Sequence, residues 1–322
     1  MRAVWLTAFG GPEVLVAGDA PDPVPGPGQV VVEVAFVNIT FVETQFRATG
    51  FGPFTGELPM IPGNGVGGTV VTAGPGVDPA VVGRRVVTST GGSGGYAERV
   101  AVPAAGLFEV TAGLDLDTAV AVLADGRTAT MLVAAAGLRP GERVLVEAAA
   151  GGVGTLLVQL ARAAGATVVG AAGGPRKGQL VRDLRADLVV DYADPDWTDR
   201  VRAGTGGVDV VFDGVGGNIG RAAFELLDKG GRMLSYGLAS GEWAGIPEET
   251  AAAREVTVLR PTPTPEQLRA HTESALTEAA AGRLRPVIGQ RFPLDRAADA
   301  HAAIGSRSTL GKTLLVVGTA GR

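Results

Sequence analysis

Between residues 141 and 237 five short apolar runs recur, "GERVLVEAA", "GATVVGAA", "ADLVVDY", "VDVVFDGV" and "GGRMLSYG", with helix-compatible stretches between them. Runs that are apolar on consecutive residues suit strands covered on both faces. Helices inserted between such strands produce a parallel sheet wound on both sides. The intervening "TLLVQLARAAG" and "AFELLDKGG" space Leu and Ala three and four residues apart and end in glycine, as sheet-covering helices do. This alternation confines the chain to an α/β architecture and predicts a doubly wound domain over residues 123–261.

The flanking segments have another texture. Residues 2 to 7 and 30 to 37 read as strands, separated by "GDAPDPVPGPGQ", whose prolines suit an extended surface connection. Short strands and glycine turns continue through "GTVVTAGPGV" and "GRRVVTST" to about residue 102, giving a β-rich, partly barrel-like unit. After "RPTPTPEQ", "PEQLRAHTESALTEAAAGRL" reads as a helix, and "RPVIGQRFPL", "RAADAHAAIGSR" and "GKTLLVV" read as strand, helix and strand. The most economical arrangement returns this tail to the first unit, so that 1–122 and 262–322 form one discontinuous domain. A chain of 322 residues, 46% hydrophobic, can fill two cores.

Composition removes several function classes. The 28 basic and 33 acidic residues give a net charge of -5 without a basic block, and 5% aromatic content offers no stacking platform, so no nucleic-acid partner is expected. The absence of cysteine removes disulfides, thiolate nucleophiles and cysteine-ligated zinc, and fits a reducing compartment. His271 and His301 lie on separate helix-like segments without a carboxylate cluster at ligand spacing; both are expected to be surface or packing residues, with no metal. "MRAVWLTAFGGPEV" lacks a signal-peptide pattern, and no stretch is expected to approach the roughly 18 apolar residues of a membrane span. A cytoplasmic protein with no membrane partner is the expectation.

With 50 glycines in the chain, a glycine motif counts only with its flanks. In "VEAAAGGVGTLLVQ" the reading is a strand over Val144–Glu147, a turn over Ala150–Gly154 and a helix from Thr155 onward. Ala149, Gly151 and Gly154 occupy the three-glycine register of a dinucleotide turn, where backbone N–H groups and a helix dipole meet pyrophosphate. About twenty residues on, the second strand ends in Gly170–Gly174 without the acidic side chain that holds the ribose hydroxyls of NAD. Arg176 and Lys177 follow, either as a solvated helix start or as partners of a ribose phosphate, which favours NADPH over NADH.

Taken in order, "MRAVWLTAFGGPEVL", "LPMIPGNGVGGTVVTAGPGV", "GGYAERVAVPA", "ADGRTATMLV", "AAAGGVGTLLVQLARAAGATVVG", "VDVVFDGVGG" and "FPLDRAADAHAAIGSRSTLGKTLLVV" resemble the zinc-independent medium-chain dehydrogenase/reductases, in the NADPH quinone oxidoreductase, zeta-crystallin-like branch. The resemblance covers nearly the whole chain. It implies a Rossmann cofactor domain and a GroES-like catalytic domain, and a homodimer formed through an edge strand near "REVTVLR". It places Ala150, Gly151, Gly152 and Val153 at the pyrophosphate, with Gly173, Arg176, Lys177 and Tyr192 on the adenosine side. Thr128 falls near the nicotinamide, Gly214, Val215, Leu238 and Ala239 on loops lining the cofactor, and Arg307 and Lys312 on a terminal segment near it. Ordinary packing for Tyr192 and ordinary turns for the glycines are the alternatives.

Departures from the family concentrate near the substrate. Where relatives read Asn-x-x-Asp-x-Tyr-x-Arg, "TFVETQFR" has Thr40, Glu43 and Gln45 and keeps only Arg47. Asn64 stands where an acidic residue is usual, and Asp125 where a glutamine is. The resemblance makes Thr40, Gln45 and Arg47 the catalytic candidates and puts Phe41, Asn64, Tyr96 and Asp125 on the substrate side. Tyr96 reads as a proton donor or as an aromatic packed beneath the site; Asp125 and Arg127 pair with each other or with substrate. Without zinc ligands to acidify an alcohol, reduction of a quinone or an α,β-unsaturated carbonyl is the expected reaction. An enoyl or alkenal reductase with little quinone activity, and a non-catalytic NADPH-binding sensor or structural protein, are the other readings.

Overall fold

The computed structural model describes residues 1–318, and among these the chain divides into two compact units: Met1–Ala124 with the chain from Ala275 onward, and Asp125–Ser274. In chain order the first unit supplies β1 (Arg2–Leu6), β2 (Leu15–Asp19), β3 (Gln29–Ile39), α1 (Phe41–Thr49), β4 (Gly65–Ala73), β5 (Arg85–Ser89), β6 (Arg99–Pro103) and β7 (Phe108–Glu109). Helix α2 (Leu116–Ala136) leads into β8 (Arg143–Val146), α3 (Gly152–Ala163), β9 (Thr167–Ala171), α4 (Pro175–Asp183), β10 (Leu188–Val190), α5 (Trp197–Thr205) and β11 (Val208–Asp213). Then come α6 (Gly217–Phe224), β12 (Leu227–Ser235), α7 (Glu248–Ala253), β13 (Thr257–Leu259) and α8 (Pro265–Ala280), and the chain ends with β14 (Ile288–Pro293), α9 (Ala297–Gly305) and β15 (Lys312–Val316).

The return to the first unit falls inside α8, later than the expected 261/262. The early part of that helix serves the second unit, where Thr130 Oγ1 donates to the carbonyl of His271 at 3.1 Å. Its last turns carry Leu276 and Ala279 into a core with Val87, Val120 and Leu314. A continuous helix thus serves two cores, and the proline run before it marks only its start.

In the first unit β3 is the hub. It pairs antiparallel with β4, β6 and β15 in a sheet ordered β14-β15-β3-β4-β5-β7, with β6 joined to β3 off that path. Thr313 opposite Ile39 sets the final strand against the end of β3, so Lys312 arrives beside the start of α1. Val30, Val32, Val34, Val37 and Ile39 lie in the core below, with Tyr96 and Leu315.

The second unit holds a parallel sheet ordered β10-β9-β8-β11-β12-β13. From β8 the chain moves to β9 on one side and later returns to β11 on the other. This change of direction opens a crevice beyond the carboxyl ends of β8 and β11, where such sheets bind ligands. Val144, Leu145 and Val146 are fully buried, as consecutive apolar residues predict.

Two local expectations are corrected. "AFELLDKGG" is not one helix: α6 stops at Phe224 and β12 begins at Leu227, because buried Leu226 and Leu227 continue into a strand that pairs with β11 through a register shift. Among the described residues one helix, α2, is long and apolar enough to cross a membrane, contrary to the expectation that no stretch would be; most of its apolar window is buried inside the protein, as in a core helix.

Candidate active site

The turn after β8 is tighter and earlier than the sequence predicts. Ala148 takes a left-handed conformation (φ 46), and Gly151 N–H donates to Ala148 O at 2.8 Å, so α3 already begins at Gly152 and not at Thr155. Gly152, Val153 and Gly154 therefore form its first turn. A side chain at Gly154 would run into the Ala148 carbonyl and come within 2.8 Å of Ala149 Cα. The last glycine of the motif lets the helix close onto its own turn.

Three helices beyond the carboxyl ends of the sheet have glycine as their N-cap: α3 Gly151, α4 Gly174 and α6 Gly216. None of the three glycine caps carries a side chain of its own; the N–H groups of Gly174 and Gly216 are held by Asp191 and Asp213, while the first turn of α3 has no side-chain acceptor among the described residues and presents its N–H groups with the positive end of the helix dipole. Side-chain-free N–H groups in a row are what the pyrophosphate of a dinucleotide requires. The residues present fit that cofactor.

The expected adenosine-side residues come together at the ends of β9 and β10. The Tyr192 ring lies so close to Gly173 that an added Cβ would sit 3.1 Å from its Cε2. Asp191 Oδ2 accepts from Gly174 N–H at 3.0 Å and fixes the start of α4, on whose first turn Arg176 is exposed and Lys177 half-buried. Gly214, Val215, Leu238 and Ala239 are likewise joined. Ala239 N–H donates to Gly214 O at 3.3 Å and Ser240 N–H to Val215 O at 2.8 Å, while a Cβ on Gly214 would lie 2.6 Å from the Tyr236 hydroxyl. Thr128 is half-buried on α2, one turn from the buried Asp125, whose charge is felt by Arg127.

Sequence reasoning missed the buried acidic groups of this crevice, Glu147 and Asp213, and the neighbouring Tyr236. Glu147 Oε2 accepts from Val215 N–H at 3.1 Å, and Asp213 accepts from Gly216 N–H at 2.7 Å and from the Ser235 hydroxyl at 2.8 Å. Burial, then the charge of Asp213, pushes Glu147 well above the usual carboxyl range. The available signal was an acid closing each of two apolar runs, "VLVE" and "VVFD".

In the first unit "TFVETQFR" forms α1. Thr40 is its N-cap: its N–H and hydroxyl both donate to Glu43 Oε2 at 2.7 Å, completing a capping box. Glu43 Oε1 accepts from Asn64 N–H at 3.0 Å, and the Asn64 amide oxygen accepts from Ser89 Oγ at 3.1 Å. Burial raises the Glu43 pKa, opposed by these hydrogen bonds and by the nearby charge of Lys312. Glu43 therefore ties Thr40, Asn64 and Lys312 together. Arg47 is buried and its guanidinium donates to the Gly10 carbonyl. The half-buried Gln45 side-chain amide has no partner among the described residues.

Arg307, also in the left-handed region (φ 60), stacks its guanidinium 4.4 Å from the Phe41 ring centre. Tyr96 is buried with its hydroxyl 2.7 Å from His301 Nε2. Burial lowers His301 to about 3 and raises Tyr96 well above its ordinary range, so a neutral pair packs there. Among the described residues no group of three or more His, Cys, Asp or Glu side chains is arranged to hold a metal.

Comparison with known proteins adds the following. A family model described as an alcohol dehydrogenase GroES-like domain matches residues 26–112, and one described as a zinc-binding dehydrogenase matches 184–315. The chain is 34% identical to a quinone oxidoreductase of Pseudomonas aeruginosa, covering 98% of this chain and 99% of that one. It is 32% identical to a 2-haloacrylate reductase of a Burkholderia species, again over 98% and 99%. The structure of Escherichia coli quinone oxidoreductase complexed with NADPH superposes with a TM-score of 0.90 at 29% identity, over 98% of this chain and 100% of that one.

Proposed function

The chain belongs to the zinc-independent medium-chain dehydrogenase/reductases, in their quinone oxidoreductase branch, and from that premise we propose that it is an NADPH-dependent reductase acting on a quinone or an α,β-unsaturated carbonyl. The observation that carries this reading is the open, glycine-capped start of α3 beside two further glycine-capped helices at the sheet's carboxyl ends, in a chain similar over its length to an NADPH-bound reductase.

In this reading Ala150, Gly152 and Val153 offer N–H groups to the pyrophosphate, and Gly151, whose own N–H is held by the Ala148 carbonyl, leaves room for its close approach. Arg176 and Lys177 answer the ribose phosphate, and Gly170–Gly174 carries no acid of its own to hold ribose hydroxyls. Gly173 and Tyr192 flank the adenosine, Thr128 and the loops carrying Gly214, Val215, Leu238 and Ala239 line the rest, and Arg307 and Lys312 add positive charge. NADPH, when bound, supplies a hydride.

The acceptor's electron pair then moves to a carbonyl oxygen, and a donor there lowers the barrier. Thr40 has its hydroxyl proton on Glu43, and Arg47 is buried with one guanidinium nitrogen on Gly10, so the half-buried Gln45 amide is the more accessible donor for that oxygen. Solvent completes the reduction with a proton. The similarity to a 2-haloacrylate reductase favours a second reading within the class, a conjugated C=C acceptor with little quinone turnover. A homodimer paired through β13, the edge strand of its sheet, and a cytoplasmic setting suited to a cysteine-free chain complete the proposal.

The test is NADPH and NADH oxidation with panels of quinones, enones and alkenals, in the native protein and in Gln45→Leu. NADPH should be preferred, and loss of the amide should lower turnover about a hundredfold with NADPH affinity retained. NADPH binding without oxidation by any acceptor would replace this reading with that of a cofactor-binding sensor.

A further inference from the structure

The proposed function makes no use of the acids buried under the crevice. Val146 and Phe212 are register partners on adjacent parallel strands, so Glu147 and Asp213, the next residues, stand side by side at the point where the sheet changes direction. Both are fully buried. Their hydrogen bonds are unequal. Asp213 uses both oxygens as acceptors, Oδ1 for Gly216 N–H and Oδ2 for the Ser235 hydroxyl. Glu147 accepts from Val215 N–H through Oε2 alone; its Oε1 has no donor among the described residues, and Asp213 is its neighbour on the adjacent strand. Two ionised carboxylates in such contact repel each other without water to screen them, and one proton resolves the conflict. The donor count assigns that proton to Glu147.

We propose that Glu147 is a neutral carboxylic acid donating to the Asp213 carboxylate, and that this pair is the positioning element holding Gly214–Gly216 for the dinucleotide. The pair grips the loop at consecutive residues, Val215 through Glu147 and Gly216 through Asp213. Naming the ligand as a dinucleotide rests on the proposed function; the protonated pair does not.

The surroundings favour retention of the proton. Tyr236, just past the end of β12, is half-buried; its hydroxyl is pushed up by loss of water and by the acidic surroundings, which include Asp213 and Asp125, with Tyr192 contributing from the end of β10. From α2 come Asp125 and Arg127, which feel each other's charge. Ser235 contributes a hydroxyl that is already donated to Asp213. Loss of the proton places a second negative charge among these acids and sets the two anchors of the loop against each other.

Glu147→Gln keeps an N–H donor for Asp213 and an oxygen for Val215 but cannot ionise. Asp213→Asn instead puts N–H groups where Gly216 or Ser235 already donates. In the cofactor-free protein at neutral pH, infrared spectroscopy should show the carbonyl stretch of a buried protonated carboxyl that Glu147→Gln removes. NADPH titrations should show native affinity weakening by about tenfold per pH unit above the titration of the pair, with Glu147→Gln lacking that limb. At neutral pH Glu147→Gln should bind NADPH nearly as the native protein does, and Asp213→Asn about tenfold more weakly. An unchanged carboxyl signal in Glu147→Gln, or identical alkaline profiles for the two proteins, overturns the proposal. Failure of the native protein to bind NADPH at every pH overturns the dinucleotide reading, while the infrared result still decides the pair.

Discussion

At the amino end of the parallel sheet, Arg143 holds both oxygens of Asp209 (3.0 and 2.7 Å) and reaches Asp228 at 2.6 Å, and Arg232 holds both oxygens of Glu142 at 3.0 and 2.8 Å. At the carboxyl end of the same strands, Glu147 stands beside another acid and the first turn of α3 is left without a side-chain acceptor among the described residues. One end matches each cation with carboxylates and is built for stability. The other leaves donors unanswered and confines a carboxyl in a buried, acidic crevice, an arrangement that a ligand rewards and folding alone does not.

The largest expected effect breaks the amino end. Arg232→Ala leaves the mostly buried Glu142 with Arg139 as its one remaining cation and should cost about 3 kcal/mol in urea unfolding, with NADPH affinity of the folded protein unchanged. The pH dependence follows from Glu142, which Arg232 first and then Arg139 hold down to about 2: its stabilisation is present above pH 4.5, is lost as pH falls toward 2, and should be reduced in the variant to the part that Arg139 supplies. A loss of NADPH affinity as large as the loss of stability would show that the two ends are not separable.

A smaller effect is expected from Gly154→Ala, whose methyl meets the Ala148 carbonyl and forces the turn away from α3. Overpacking of this kind should cost about 2 kcal/mol, and calorimetric NADPH titration should show weakened binding. Unaltered affinity would mean that the turn tolerates movement and that its helix start is not the phosphate site. Smallest is Lys177→Ala, on the half-buried first turn of α4. Its expected signature is a fall of about tenfold in preference for NADPH over NADH, about 1.4 kcal/mol, with the melting temperature unchanged.

Much of the fold was legible because buried parallel strands announce themselves by consecutive apolar residues, as Val144–Val146 and Val210–Phe212 do. The return of the tail to β3 was readable as an economy of strands. Boundaries were less so: α3 starts before Thr155 because Ala148, a residue without left-handed preference, makes the turn, and α8 crosses between units without a break in its sequence. Of the candidate residues, glycines and their loop partners were legible because backbone contact needs small residues. The capping box of Thr40 is written in the T-x-x-E spacing of Thr40 and Glu43, whereas the bond of Arg47 to the distant Gly10 carbonyl depends on tertiary geometry and was not legible. The pairing of Glu147 with Asp213 required the strand order, which brings β8 beside β11 across a long stretch of chain.

The pairing of β15 with β3 also sets an order of events during synthesis. The second unit is one uninterrupted stretch of chain, and the ribosome has delivered all of it before β14 and β15 emerge. Until β15 arrives, one edge of β3 at Phe36–Ile39 has no partner, and an open edge of this kind can be captured by another nascent chain. The inserted unit can therefore be complete while the unit that encloses it in sequence waits for its last strand, which makes the interval before Lys312–Val316 emerges the period of greatest exposure to misassembly.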